Sequence, residues 1–394
     1  METTDIAMSA VVVSFVIALA ALVPAVLRVA ILPAVVLEIL FGVVIGPQVT
    51  GLVHHNQILD VLSELGLAIL FLMAGLEINP REVRGAPTRL ALRGWALSLA
   101  IALALGLGGQ ALGLFSGAGF IAIAIATTAI GALMPILKDA GLLQPPYGPF
   151  VLASGAVGEA LPLVALSLVL AGAAGLGAQS VVLVFFAATS LLAIGLAGRI
   201  RDLPLPPVFR LTMRSSSQFP IRLAIFLAVS FALFGQSLGL DLVLGAFVAG
   251  AVLRTLLPED LHDDLMARLS AVGYGFLIPI FFVTSGAALD IAALAGSPGA
   301  IALVPVFVLM MLIARGLPAL IVYRGHLTLR ERAALAFHSA TQLPLVVAIA
   351  AIAVDQGAMP GWCGASLVMA GVVTVIVFPG IGNLLLRGGD TAPR

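Results

Sequence analysis

The chain has 394 residues carrying 19 Lys and Arg against 19 Asp and Glu, so its formal charge is zero and no nucleic-acid partner is expected. It is 61% hydrophobic and 10% charged with a mean hydropathy of +1.19, more apolar than any soluble core of this size requires, which makes it an integral membrane protein. Cys363 stands alone, excluding an intramolecular disulfide and a zinc ribbon, and there is no HExxH pattern or Walker loop. Transport would then be passive or driven by a gradient, and the chain reads as a transporter without cofactor, not an enzyme.

A membrane span needs about 20 apolar residues, and about thirteen candidates follow one another with little left for a soluble domain. The first begins near Met8; Met1, Glu2 and Asp5 precede it without Lys or Arg, so it lacks the basic start of a signal peptide. Span 2, from Ile31, carries Glu38, and span 3, from Ile58, carries Asp60 and Glu64 one turn apart. Span 4 begins near Leu90. Span 5, from Ala118, is interrupted by Ala126, Thr127, Thr128, Ala129, Ile130 and Gly131, with Pro135 beyond. Span 6, from Pro149, holds Glu159, a lone carboxylate in the uncharged stretch 145–198. Span 7 starts near Ser180, and a Pro-rich link leads to span 8 at Ile221. Span 9, from Leu240, has Asp241 at its outer start. The run 257–268, with Glu259, Asp260, His262, Asp263 and Asp264, reads as cytoplasmic loop surface, a short amphipathic interface helix or a cation-attracting vestibule. Span 10 begins near Val272, and span 11, from Pro298, carries Arg315. Span 12, from Arg332, reads Ser339, Ala340, Thr341, Gln342, Leu343 and Pro344 at its interruption, with His338 about a turn before the break. Span 13 starts near Trp362.

Basic residues in short loops stay on the cytoplasmic side. Every Lys and Arg except Arg315 falls after an odd-numbered span, whereas the loops around His54, Ser116, Gly175, Gln236, Asp290 and Gln356 have none. The N-terminus is therefore expected outside and the C-terminus in the cytoplasm.

Helix-breaking chemistry inside a span marks either a kink, with a hydroxyl bonding back to the backbone, or a discontinuous helix lining a protein cavity. The interruptions fall in the fifth span of the first six and the fifth of the last six. Seven spans separate corresponding elements, so the second set enters from the opposite side. The expected organisation is one polytopic domain, 1–394, with a first inverted repeat at 8–172, a linker helix and cytoplasmic link at 180–222, and a second repeat at 221–386.

An ionisable group at membrane depth costs at least ~2.5 kcal/mol, so a span that holds one usually binds an ion or moves a proton. Glu159 is the first candidate. Arg315 lies nine residues, or ~13 Å, from Arg324. It either snorkels to the cytoplasmic interface or is held inside against an anion, for which Glu159 is the obvious partner. Asp60 and Asp241 sit near interfaces. Glu38 and Glu64 could share a proton, form a structural hydrogen-bond site or line an ion path, and His338 is a candidate pH sensor.

Span 2 and its approach, from Leu32 and Pro33 through Glu38 to Gly46 and Pro47, resemble the opening of the second branch of monovalent cation:proton antiporters. Glu64, Leu65 and Gly66 with Phe71, Leu72, Met73, Ala74, Gly75, Leu76 and Glu77 resemble the family's next signature. The runs Leu244 to Gly250 and Ile278 to Phe282 continue it, in order along nearly the whole chain. The resemblance implies an all-α sodium/proton antiporter fold, with two inverted repeats, crossed discontinuous helices, a mobile core domain and a dimerisation domain. It implies that Glu159 binds the ion, that Thr127, Thr128, Thr341 and Gln342 offer oxygens at the two breaks, and that Arg315 is the charge partner.

Electrogenic members carry two adjacent Asp residues in this span; here Gly158 precedes Glu159. One carboxylate holds one proton or helps to coordinate one cation, so the expectation is electroneutral 1:1 exchange of Na+ or K+ for H+ by an elevator-like alternating access. The longer Glu shifts the oxygens by about 1.5 Å relative to Asp and leaves ion selectivity open. A homodimer through the first spans of each half, in a bacterial inner membrane, is implied as well. Glutathione-gated members carry a nucleotide-binding domain after the last span. This chain reaches Arg394 soon after Leu386, so no soluble regulatory domain is expected. A sodium-coupled organic-anion symporter of the bile-acid type shares the crossed-helix fold and is the alternative, and a passive channel is a further one.

Overall fold

The structure, a computed structural model, describes residues 2–27, 33–53, 56–77, 85–173, 192, 195–196, 212, 215–237, 242–257, 259–296 and 298–387. Most of the seventh span and of the Pro-rich link that follows it, Asp241, and Arg28, Arg81, Arg84, Arg199, Arg201, Arg210 and Arg214 lie outside these residues. The described residues are helical and contain no strand. The helices are α1 (Glu2–Leu27), α2 (Ala34–Ile45), α3 (Gln57–Glu77), α4 (Ala86–Ala111), α5 (Ala118–Ile125), α6 (Ile130–Asp139), α7 (Gly148–Ala173) and α8 (Phe219–Ser237). They continue with α9 (Leu242–Leu256), α10 (Glu259–Val272), α11 (Ile278–Ala287), α12 (Ile291–Gly296), α13 (Pro298–Val322), α14 (Leu329–Ser339), α15 (Pro344–Asp355) and α16 (Gly361–Arg387). A π-helical turn, Gly273–Leu277, joins α10 to α11.

Among the described residues six helical runs, one of them the continuous stretch Leu261–Gly296 through α10, α11 and α12, are long and apolar enough to cross a membrane, and α14 with α15 passes as a pair bent by 41°. Spans 1, 2, 5, 8 and 9 correspond to shorter apolar helices. The twelve residues of α2 rise only ~18 Å, less than a ~30 Å hydrocarbon core.

The chain divides into two compact units, and each draws on both halves of the sequence. One comprises Met1–His54, Val83–Pro162 and Ser285–Arg394; the other comprises His55–Glu82 and Leu163–Thr284.

In the second unit α3 packs on α9, and α8 packs on both. Gly75 and Gly250 face each other where α3 crosses α9: a Cβ at Gly75 would strike the Phe247 carbonyl, and one at Gly250 the Leu72 carbonyl. Small residues permit such backbone approach where lipid offers no hydrophobic drive for helices to associate. Ser63 and Thr284 share a hydrogen bond of 2.8 Å. The acidic run after span 9 folds as α10, whose Leu261, Leu265 and Leu269 form a buried stripe at helical spacing. His262 on this helix lies 3.1 Å from the Leu76 carbonyl in the last turn of α3.

In the first unit α13 packs on α4, α14 and α16, and α5 packs on α4 and α15. Helix α14 begins with a capping box: the Thr328 hydroxyl accepts from the Glu331 amide at 3.3 Å, and the Glu331 carboxylate accepts from the Thr328 amide at 2.8 Å. Arg332 donates to the Leu320 carbonyl near the end of α13.

Two helices are discontinuous here. Residues 126–129 separate α5 from α6, and 340–343 separate α14 from α15. Thr127 turns its hydroxyl back to the Ala124 carbonyl at 2.8 Å, and Pro344 has no amide with which to continue the second helix. Thr374 on α16 closes the second break. Its hydroxyl accepts from the Gln342 amide at 3.0 Å and lies 3.0 Å from the Gln342 carbonyl and 2.8 Å from that of Gly371 as a donor. Thr374→Val keeps the shape but strips both partners from Gln342, so thermal unfolding in detergent should show a loss of roughly 1–3 kcal/mol, whereas Thr374→Ser should stay close to wild type.

Candidate functional site

The two breaks are bonded to one another. The Ala129 amide donates to the Thr341 carbonyl at 2.8 Å, and the Gln342 side-chain amide donates to the Ile125 carbonyl at 2.9 Å. The Thr128 hydroxyl donates to the Ser339 carbonyl at 2.6 Å. Backbone groups released by one interruption are thus satisfied by the other, a requirement wherever water is excluded. The third element is α7, whose Gly158 carbonyl accepts from the Thr128 amide at 2.9 Å.

Arg315, in the middle of α13, is only 4% exposed. It does not snorkel. Its Nε donates to the Thr128 hydroxyl at 3.1 Å and the Ser339 carbonyl at 3.3 Å. Nη1 reaches the Ser98 hydroxyl on α4 at 3.2 Å, and Nη2 reaches the Thr128 hydroxyl at 2.7 Å and the Ser154 carbonyl at 3.3 Å. One guanidinium therefore joins α4, the first break, α7 and the end of α14 through neutral oxygens. Its planar fork of five N–H donors suits this task in a way a Lys ammonium does not.

Glu159 is half-buried in α7, one residue past the Gly158 carbonyl that holds the first break. A Cβ at Gly158 would sit 2.6 Å from Arg315 Nη2 and 2.6 Å from the Thr128 hydroxyl, so the guanidinium fills the space a side chain would need.

The four oxygen donors anticipated at the breaks, Thr127, Thr128, Thr341 and Gln342, are all buried. They are not equivalent. The Thr128 hydroxyl donates once and accepts twice, which exhausts its capacity. Thr127 spends its proton on Ala124 and keeps its lone pairs. Thr341 turns its hydroxyl to the Phe337 carbonyl at 3.1 Å. Gln342 Oε1 is buried without a hydrogen-bond partner, the one acceptor at the crossing left open in this way among the described residues.

Other candidates fall elsewhere. His338 is buried one residue before Ser339, with Nδ1 2.6 Å from the Tyr147 hydroxyl and its ring against the backbone of Gly382. Glu38 is buried in α2 of the first unit, whereas Glu64 and Asp60 are exposed on α3 of the second. Ser98, Tyr147 and Thr374 were not singled out from the sequence; an isolated hydroxyl inside an otherwise apolar span is the signal that could have found Ser98 and Thr374. Gly158→Ala forces Arg315 and Thr128 apart, and the overpacking should cost about 1–3 kcal/mol in thermal unfolding.

Residues 15–388 match the family described as "Sodium/hydrogen exchanger, transmembrane". Among curated proteins, the "Probable Na(+)/H(+) antiporter 3" of Methanocaldococcus jannaschii is 26% identical over 65% of this chain and 65% of its own length. The "Putative Na(+)/H(+) antiporter YjbQ" of Bacillus subtilis is 27% identical over 88% of this chain and 58% of its own. The "Na(+)/H(+)-K(+) antiporter GerN" of Bacillus cereus is 27% identical over 64% of this chain and 65% of its own. The chain thus spans somewhat under two thirds of each relative. The sodium proton antiporter MjNhaP1 of Methanocaldococcus jannaschii has the same fold, with a TM-score of 0.68 and 15% identity over 97% of this chain and 99% of that one. These matches lend no support to the organic-anion symporter alternative. The match along nearly the full length establishes that the chain belongs to the sodium/hydrogen exchanger family.

Proposed function

We propose that this protein is a secondary active transporter that exchanges a monovalent cation, Na+ or K+, for H+ across the membrane, with Glu159 as the shared site. The observation that carries this reading is the direct bonding of two broken helices to each other and to α7 one residue from Glu159. The family match supports it, and relatives named for sodium and for both ions make each a cation to test.

In this mechanism Glu159 holds either a proton or the cation. Gln342 Oε1 and the Thr127 lone pairs are the neutral oxygens open to a cation beside it, and Thr341 becomes available if its hydroxyl turns from Phe337. Thr128 is engaged by Arg315, so it joins the ligand set only when the guanidinium withdraws. Arg315 thereby serves as charge partner to the empty site.

Exchange is 1:1 and electroneutral because α7 offers one carboxylate here, and the place beside it is closed to a second side chain by Arg315 and Thr128. Alternating access is an elevator-like movement of a core carrying the crossing against a dimerisation domain of a homodimer. The protein sits in a bacterial inner membrane with its N-terminus outside and its C-terminus in the cytoplasm, as its basic loops suggest.

Proteoliposomes with an internal pH dye test the proposal. Adding Na+ or K+ should change internal pH, an imposed potential should leave the rate unaltered, and Glu159→Gln should reduce it to the level of empty vesicles. Exchange persisting in Glu159→Gln would move the site away from α7, and a rate that follows the potential would overturn electroneutrality.

A further inference from the structure

Pro162 lies inside α7, four residues after Gly158. In a regular helix the amide of residue 162 would bond to the carbonyl of residue 158. Proline has no N–H, and its ring crowds the carbonyl four residues back out of line. The Gly158 carbonyl released in this way is the one that accepts from the Thr128 amide at 2.9 Å. Thr128 is itself released by the break between α5 and α6.

This use of a proline is selective. Pro24, Pro305, Pro318 and Pro379 also interrupt helices and free the carbonyls of Ala20, Ile301, Ala314 and Val375. Among the described residues, only the carbonyl freed by Pro162 receives a backbone amide from another segment. The same face of α7 is open for a second reason, because Gly158 has no side chain and Arg315 Nη2 and Thr128 Oγ1 occupy the space. A missing amide at 162 and a missing Cβ at 158 thus clear one notch, and the first break docks in it.

We infer that Pro162 is a positioning residue for exchange: by withholding an amide it reserves the Gly158 carbonyl for Thr128 and pins the broken helix one residue from Glu159. A residue with an N–H at 162 reinstates the helical bond and competes for that carbonyl. The break then loses a fixed distance to the carboxylate, and cation binding weakens. The inference rests on the reading of Glu159 as the exchange site, and the test separates the two.

Pro162→Ala adds the amide and favours regular helix, so folding is not at stake. An amide-to-ester analogue, with lactic acid at position 162, keeps the alanine methyl but has no N–H. In the full-length protein, Pro162→Ala should raise the half-saturating cation concentration about three- to tenfold, the weight of one buried hydrogen bond. Deuterium uptake at the Thr128 amide should become faster. The ester should return both toward wild type. Wild-type uptake at Thr128 in Pro162→Ala, or an ester as impaired as the alanine variant, would overturn the inference, the latter by assigning the effect to the ring. Glu159→Gln measured alongside decides the exchange site by itself, because the Thr128 uptake judges Pro162 even if exchange survives that substitution.

Discussion

Backbone polar groups cannot be left unpaired where there is no water, and this constraint organises the whole first unit. Breaking a helix inside a membrane frees several amides and carbonyls at once, each costing free energy comparable to a lost hydrogen bond. Here no interruption is self-sufficient. Ala129 relies on Thr341, Gln342 on Ile125, Thr128 on Gly158, and Gln342 again on Thr374. A further helix backs each break by different chemistry: a carbonyl released by proline on α7, and a hydroxyl acting as donor and acceptor on α16. Such mutual satisfaction makes the crossing a unit that forms or fails together.

Charge is handled in the same distributed way. A buried guanidinium is costly unless its donors are all engaged. Arg315 meets the oxygens of Ser98, Thr128, Ser154 and Ser339, contributed by four separate stretches of chain. Thr128 is the hub, since one hydroxyl accepts from Arg315 twice and donates to the Ser339 carbonyl. Guanidinium and an alkali cation both seek neutral oxygens, so in the proposed exchange Arg315 and the cation draw on a common pool. Gln342 Oε1 lies outside that competition.

The second unit meets the same solvent by another route. Its helices are held by close backbone approach, seen at Gly75 against the Phe247 carbonyl and at Gly250 against the Leu72 carbonyl. Packing of this kind needs no polar side chains, which fits a unit in which Asp60 and Glu64 on α3 are exposed.

Hydropathy alone was enough to read a helical membrane protein, because burying a span in lipid demands a long apolar run. Thr, Gln and Pro in the middle of such runs announced both breaks, and Glu159 and Arg315 stood out because charge at that depth is costly. What the residues could not announce was pairing. Whether Arg315 snorkels or turns inward depends on oxygens from Ser98, Thr128 and Ser339, distant in sequence and neutral in composition. The acidic run before span 10 was open between loop surface, an amphipathic helix and a vestibule because its charges masked a three-leucine stripe that acquires meaning only as a helix packed on its neighbours. Thr128 and Gln342 looked like equivalent ligands, yet one is saturated and the other open. Residue type sets how many hydrogen bonds a group can make, and this the sequence by itself determined. Which of them are already spent depends on the directions in which neighbouring helices point their atoms, and only the tertiary structure decides that.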